Sequence, residues 1–200
     1  MTKVIKFFSA EFFSSVFNPV VFLFLMPFLI VYRQTASVEY ALKWQLFTSI
    51  FLMIGITFLL FGLHKRIFSD IDLTKREERK EFYKISLILS ASYLVSSILF
   101  KGPIFYISFA AGGIAVGVFI LSIINNYVKA SVHLAVATAF VTTVGILYGP
   151  NTFIYLFWII PLTLWARHYL KKHTVLDMVI GTLVGLSITL GTLFIARMFL

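Results

Sequence analysis

Along the chain, long apolar runs alternate with short polar clusters, and the runs have the length of membrane-crossing helices. A spanning helix needs roughly 20 apolar residues, within a range of about 17–25. Residues 12–32, 44–63, 102–128 and 178–196 carry no charge, and 85–100 is a shorter run that extends back through Phe82 and Tyr83. The run 134–166 is too long for one span, and Gly149-Pro150-Asn151 interrupts it. That break predicts a hairpin of two short helices, 134–149 and 152–165. The pattern therefore predicts an all-α fold, a polytopic transmembrane bundle of about six to seven helices. No linker or low-complexity segment divides residues 1–200, so a single membrane domain is expected.

Composition sharpens this picture. Hydrophobic residues make up 60% of the 200 positions and charged residues 12%, with a mean hydropathy of +0.97. A soluble domain is nearer ~45–50% apolar and about a quarter charged, which excludes that class here. Lys3 and Lys6 precede the first apolar run as in a signal peptide. The run is long, however, and no small-residue cleavage site precedes Arg33, so a retained first helix is expected. With no cysteine, neither disulfides nor thiolate metal sites are available.

The formal charge of +9 would suit nucleic acid, but its placement argues otherwise. If every apolar segment crosses, thirteen of the 17 basic residues fall on the N-terminus and on the loops 64–84, 125–133 and 166–173, all on one side. Arg33, Lys43, Lys101 and Arg197 fall on the other. The positive-inside rule then places the N-terminus and the three loops in the cytoplasm, most simply of a cell inner or plasma membrane. The basic excess also suits anionic lipid headgroups, and no nucleic-acid partner is expected.

Topology alone accounts for most of those cations, so the chemistry has to be sought where several functional groups interrupt an apolar pattern together. ARHYLKKHTVLD (166–177) sets His173 and Asp177 four residues apart, a spacing that shares one helical face, with Arg167 six residues before the histidine. KASVH (129–133) places Lys129, Ser131 and His133 just before an apolar run. A helix starting near Ser131 would aim free N–H groups at an anion, and Ser131 can cap it. Taken singly, each stretch reads as an interfacial cap with a snorkelling lysine. Together they bring two histidines, a serine, a lysine, an arginine and an aspartate to one membrane face.

Here the sequence resembles the type 2 phosphatidic acid phosphatase superfamily, whose members are helical membrane enzymes that dephosphorylate lipids. Its last motif, Ser-Arg, five spacers, His, three spacers, Asp, is matched by Arg167, His173 and Asp177, with Ala166 in place of the serine. Its middle motif, Pro-Ser-Gly-His, is matched by Ser131 and His133, with Ala130 and Val132 replacing proline and glycine. Its first motif, Lys, six spacers, Arg-Pro, meets SDIDLTKREERKEFYK (69–84): Arg79 can be its arginine, but Asp72 stands where the lysine belongs and Lys80 replaces proline. Lys129 or Arg76 can supply the missing cation. The resemblance covers roughly residues 65–195.

Read from its own residues, the 69–84 stretch has capping-box spacing at Thr74 and Glu77, which predicts a helix start there. Arg76, Arg79, Lys80 and Tyr83 then share a face. Asp70 and Asp72, without a second acidic motif, are expected in turn and cap roles. His168 lacks a partner at helical spacing and is expected to be exposed, like Lys171 and Lys172. Gly181 and Gly185 follow Asp177 at intervals of four and predict a tightly packed helix face.

The resemblance implies a metal-independent phosphoric ester hydrolase needing no cofactor and acting on a lipid phosphate or isoprenoid phosphate. His173 would be the nucleophile, Asp177 its orienting partner and His133 the proton donor to the leaving oxygen. Arg167, Lys129, Arg79 and Ser131 would hold the phosphoryl oxygens. The alternative is a non-catalytic lipid-binding or carrier protein that keeps the fold. The motif substitutions support it, while both histidines and Asp177 speak for catalysis, since binding alone needs no oriented imidazole.

Overall fold

The computed structural model describes residues 2–100 and 104–199. Lys101 and Gly102, which the sequence assigns to the outer face and to the start of an apolar run, lie outside the described residues. Among those described, nine helices follow one another: α1 Thr2–Val16, α2 Pro19–Thr35, α3 Val38–His64, α4 Arg79–Leu99, α5 Ile104–Ile124, α6 Val132–Tyr148, α7 Pro150–Phe157, α8 Ile159–Tyr169 and α9 Val175–Met198.

Prolines decide where this order departs from the apolar runs. Proline has no N–H to give and its ring clashes with the carbonyl four residues earlier. Pro19 therefore ends the first run as a continuous helix and opens α2, with the Asn18 side chain accepting from the Val20 N–H at 2.9 Å. The single span expected over 12–32 is thus two helices bent by 40°. Pro161 does the same to the second arm of the hairpin, whose expected helix 152–165 is divided into α7 and α8. Pro150 opens α7 after Gly149, the break expected from the sequence.

Four helices, α3, α4, α5 and α9, are long and apolar enough to cross a bilayer, and the α1–α2 pair makes a fifth if counted as one span. That is fewer than seven full-length apolar spans, because α6 has only 17 residues and α7 and α8 are shorter still. Large apolar side chains such as Leu46, Ile50, Val116 and Phe194 point outward and are exposed, as a lipid solvent requires. The chain is an integral membrane protein built as a helical bundle.

Helices α2, α3, α4, α5, α9 and α6 each pack on the next, and α6 returns to α2, so the six close into a ring. One core cluster, Ile30, Val31, Ala41, Trp44, Tyr93, Ile107 and Ala111, joins α2–α5. A second, around Phe22, Phe140, Val141 and Val144, joins α2 to α6, with the Phe22 and Phe140 rings 4.7 Å apart. Outside the ring α1 packs on α8. All the loops that bear the candidate residues meet at one end of this bundle.

Candidate functional site

At that end four segments are tied together by hydrogen bonds, three of them through backbone carbonyls. Arg76 donates to the Tyr127 carbonyl at 3.1 Å, and Asn125 Nδ2 donates to the Arg76 carbonyl at 3.0 Å. Lys129 Nζ donates to the Lys172 carbonyl at 3.0 Å. From α1, Ser14 reaches the arginine of α8, Arg167 Nη1, at 2.9 Å.

The 65–78 connection has its own internal order. Asp70 accepts from the N–H groups of Asp72 and Thr74 and from the Thr74 hydroxyl, the last at 2.9 Å. With both Thr74 groups spent on Asp70, no capping box forms and α4 begins at Arg79, later than Thr74–Glu77 predicts. Leu73 takes a left-handed φ of 50°, a conformation that costs an L-residue roughly 1–2 kcal/mol. Its carbonyl accepts from Arg79 Nε at 2.9 Å.

Asp72 departs from the turn role expected of it. Its carboxylate faces Arg167 Nη1 at 3.2 Å and Lys172 Nζ at 3.0 Å, in the midst of the cations. Burial alone would raise this carboxyl, but Arg167, Lys172 and His133 hold it below the ordinary carboxylate value. Lys172 is accordingly not on the solvated side of its loop. Lys171 and His168 are exposed, as expected.

His173 is buried beside Arg79, whose guanidinium Nη2 lies 3.5 Å from the ring Nε2. Arg79 Nη1 donates to the Ala130 carbonyl at 2.9 Å, so this arginine is anchored from both sides and aimed at the histidine. The first-motif arginine is therefore in the cluster even though Asp72 replaces the lysine. The other ring nitrogen, Nδ1, lies 3.1 Å from the Lys129 carbonyl and 3.7 Å from Asp177 Oδ2.

That geometry corrects the role assigned to Asp177. Thr174 is the N-cap of α9, so His173 precedes the helix and the i, i+4 rule does not govern the pair. Asp177 instead accepts from the Thr174 N–H at 2.9 Å, completing a capping box with the Thr174 hydroxyl. The partner that orients the imidazole is a backbone carbonyl. Ser131, fully buried, caps α6 where the sequence expects a helix start, and its N–H donates to the Asp177 carbonyl at 2.9 Å. Its hydroxyl accepts from the Leu134 N–H at 3.5 Å, which builds the helix start and leaves its own O–H to donate.

His173 is surrounded by cations that outweigh its one carboxylate neighbour. Burial, then Arg79, Arg167 and Lys129, push its imidazole down to about 3, with Asp177 offsetting only part. Lys129 is half-buried, and burial together with Arg79 and Arg167 lowers its amine as well. His133, on the first turn of α6, is buried at 9% exposure. Among the described residues, His133 Nε2 and Arg167 Nε are buried polar atoms without a hydrogen-bond partner. Such atoms cost roughly 1–3 kcal/mol each, a cost that a bound anion accepting from Arg167 would relieve. No group of three His, Asp or Glu side chains with metal-ligand geometry occurs among the described residues.

Asp72, Lys172 and Ser14 are the members of this cluster that sequence reasoning did not assign to it. For Asp72 the signal was its position, a carboxylate where the resemblance asks for a lysine. Ser14 lies 153 positions from Arg167 and outside the matched range, and no local pattern points to it. Compared with known families, curated proteins and solved structures, the chain matches none of them.

Proposed function

We propose that this chain is a lipid phosphate phosphatase that hydrolyses a phosphate monoester or diphosphate through a phosphohistidine. The observation that carries the reading is the setting of His173. Its Nδ1 faces the Lys129 carbonyl, which can only accept, so the proton belongs on Nδ1 and the lone pair on Nε2. Nε2 in turn faces Arg79, in a pocket whose burial and cations keep the ring neutral. A neutral, oriented imidazole among cations is suited to attack a phosphorus whose oxygens those cations hold.

In the first step Nε2 bonds to phosphorus and the P–O bond to the lipid breaks. His133 gives its proton to the departing oxygen, and the negative charge of the phosphate favours the protonated ring beforehand. Arg79, Arg167 and Lys129 neutralise the phosphoryl oxygens. In the second step water attacks phosphorus, His133 takes its proton, and the P–N bond breaks to free phosphate. Asp177 acts by fixing the start of α9, and therefore the position of His173. The basic loops of this end belong to the cytoplasmic face of an inner or plasma membrane by the positive-inside rule.

A lipid-binding or carrier protein is the second reading, and Asp72 favours it, because this carboxylate already neutralises Arg167 and Lys172. Phosphate release from a panel of lipid phosphates by detergent-purified protein, with chelator present, separates the two. Wild type should release phosphate and form an acid-labile phosphoprotein, and His173→Ala should do neither. His133→Ala should be slower by roughly 100- to 10,000-fold, with aryl phosphates partly rescued. Wild-type release no faster than that of His173→Ala, with both still binding lipid, would make the chain a binder.

A further inference from the structure

The ring of six helices is not filled. It encloses a cavity of about 540 Å³ that begins at Asp72, Arg79 and His133 and runs down the bundle interior to Tyr93 and Tyr106. One face of α4 shows its course: Arg79, Tyr83, Ser86, Ser90 and Tyr93 all line it, at intervals of three or four. At a rise of ~1.5 Å per residue, the fourteen steps from Arg79 to Tyr93 make it roughly 21 Å deep. Below the polar mouth the wall is apolar apart from a few hydroxyl groups. At its far end the cavity meets Ile30, Tyr93 and Ile107 of the first core cluster, with a 2.8 Å hydrogen bond between the Tyr93 and Thr48 hydroxyls.

We infer that this cavity takes the hydrocarbon tail of the substrate and that its floor gauges the length of that tail. The inference rests on the phosphatase reading for the head group and adds the class of lipid. Continuity points to the occupant, because Arg79 and His133 of the candidate phosphate site line the cavity's mouth. His133, nine-tenths buried with an unpartnered Nε2, stands at that mouth. The volume of about 540 Å³ has room for such a tail.

Depth agrees, since roughly 21 Å is about the length of an extended hexadecyl chain. A tail leaving the bilayer gains no hydrophobic energy on entering the protein, because lipid is already apolar. Selection therefore comes from fit against the walls and floor. The α3–α4 joint is the most sparsely packed of the six and gives a tail its route from the bilayer. An acyl or alkyl chain and a short isoprenyl chain share this chemistry.

The test uses the full chain in detergent with octyl, hexadecyl and docosyl phosphates, farnesyl phosphate and a diacyl phosphatidate. Hexadecyl phosphate should be turned over best. Docosyl phosphate should fall by roughly tenfold or more, the usual scale of discrimination by an apolar pocket, and the diacyl lipid should follow the length of its chains in the same way. Farnesyl phosphate hydrolysed as well as the alkyl series places an isoprenyl tail in the same cavity, whereas its rejection narrows the class to unbranched chains. Gly55→Phe should obstruct the cavity midway, because a Cβ there meets only Leu89 Cδ1, at 3.5 Å. In that variant the ratio of hexadecyl to octyl turnover should drop by roughly tenfold or more.

A hexadecyl phosphate with a terminal diazirine provides a readout that does not need turnover. Its label should map to Thr48, Tyr93 or Tyr106 in wild type and be lost from them in Gly55→Phe. Labelling confined to outward positions such as Leu46 and Ile50 would overturn the inference, as would hydrolysis indifferent to tail length. Labelling of the floor without hydrolysis of any lipid would sink the phosphatase reading and leave the tail site standing.

Discussion

Replacing His173 by glutamine should make the protein markedly less sensitive to acid. The glutamine amide can still donate to the Lys129 carbonyl but has nothing to protonate. In the wild type the His173 side chain is 1% exposed, and its imidazole is pushed from an ordinary 6.5 down to about 3 by burial and by Arg79, Arg167 and Lys129. A histidine in the unfolded chain takes up a proton below ~6.5, whereas this one stays neutral until about 3. Protons therefore favour the unfolded chain, and stability falls as pH drops through that window. At about pH 4.5 the unfolded histidine is two pH units below its midpoint, which at ~1.4 kcal/mol each costs about 3 kcal/mol relative to about pH 7.5. Asp72 does not blur the comparison. Its carboxyl is held below the ordinary value, so its contribution drains only as pH falls below about 4. Reversible unfolding of both proteins in mixed detergent micelles, at the two pH values, measures the difference. Wild type should lose about 3 kcal/mol more than His173→Gln on acidification. Equal losses would refute a neutral, buried His173, and with it the claim that Nε2 is free to act as a nucleophile.

Asp72→Asn should free Arg167 and Lys172 for an incoming anion while leaving Arg167 less well compensated. Thermal unfolding should show a lower midpoint without ligand and a stronger response to inorganic phosphate or vanadate, by roughly tenfold in affinity if about 1.4 kcal/mol of competition is relieved. No change in the phosphate response would show that Asp72 does not compete for the anion. Gly185→Val places a Cβ against the Ala135 carbonyl and backbone, which cannot move aside as a flexible side chain would. A loss of about 3 kcal/mol or more is expected, and a fall in midpoint no larger than that of a surface control would contradict the close α6–α9 seam. Reporters fused to the two termini should fall on opposite sides of the membrane, since α2, α3, α4, α5, α6, the α7–α8 pair and α9 run alternately through the bundle. Reporters on the same side would mean that one of these segments turns back.

The bundle was legible in the apolar runs because lipid imposes the same demand at every position of a spanning helix. Breaks were legible unevenly: Gly149-Pro150 was read correctly, Pro19 marked the first run as interrupted without dividing it, and Pro161 divided a helix that hydropathy left whole. The signal of a threonine followed three residues later by an acid occurs twice, at Thr74–Glu77 and Thr174–Asp177. It forms a capping box at the second, whereas at the first Asp70 has already taken the Thr74 N–H and hydroxyl. The spacing of Arg167, His173 and Asp177 brought the right residues to one end but gave Asp177 the wrong partner. What orients His173 is the Lys129 carbonyl, 44 positions away, and side-chain patterns do not encode a backbone acceptor. Asp72 was misread for a similar reason, since its cation Arg167 lies 95 positions on in the chain.

The α6–α9 seam explains why two histidines 40 positions apart share a site. The two helices start side by side: the Ser131 N–H of one bonds to the Asp177 carbonyl of the other. A Cβ at Gly181 would press into the Ser131 backbone, and one at Gly185 into that of Ala135. Any larger residue would hold the helices apart along the stretch that immediately follows the site. His133 stands two residues after Ser131, and His173 immediately precedes the Thr174 cap of α9. The distance between the proposed proton donor and the proposed nucleophile is thus set by backbone contact between two capped helix starts, with little slack. Lys129 extends the same join, its carbonyl against His173 and its amine on the Lys172 carbonyl. Gly181 and Gly185, which carry no chemistry of their own, are in this sense positioning residues for the site. A substitution there should disturb the pairing of the histidines first, because the two capped helix starts meet directly at this seam.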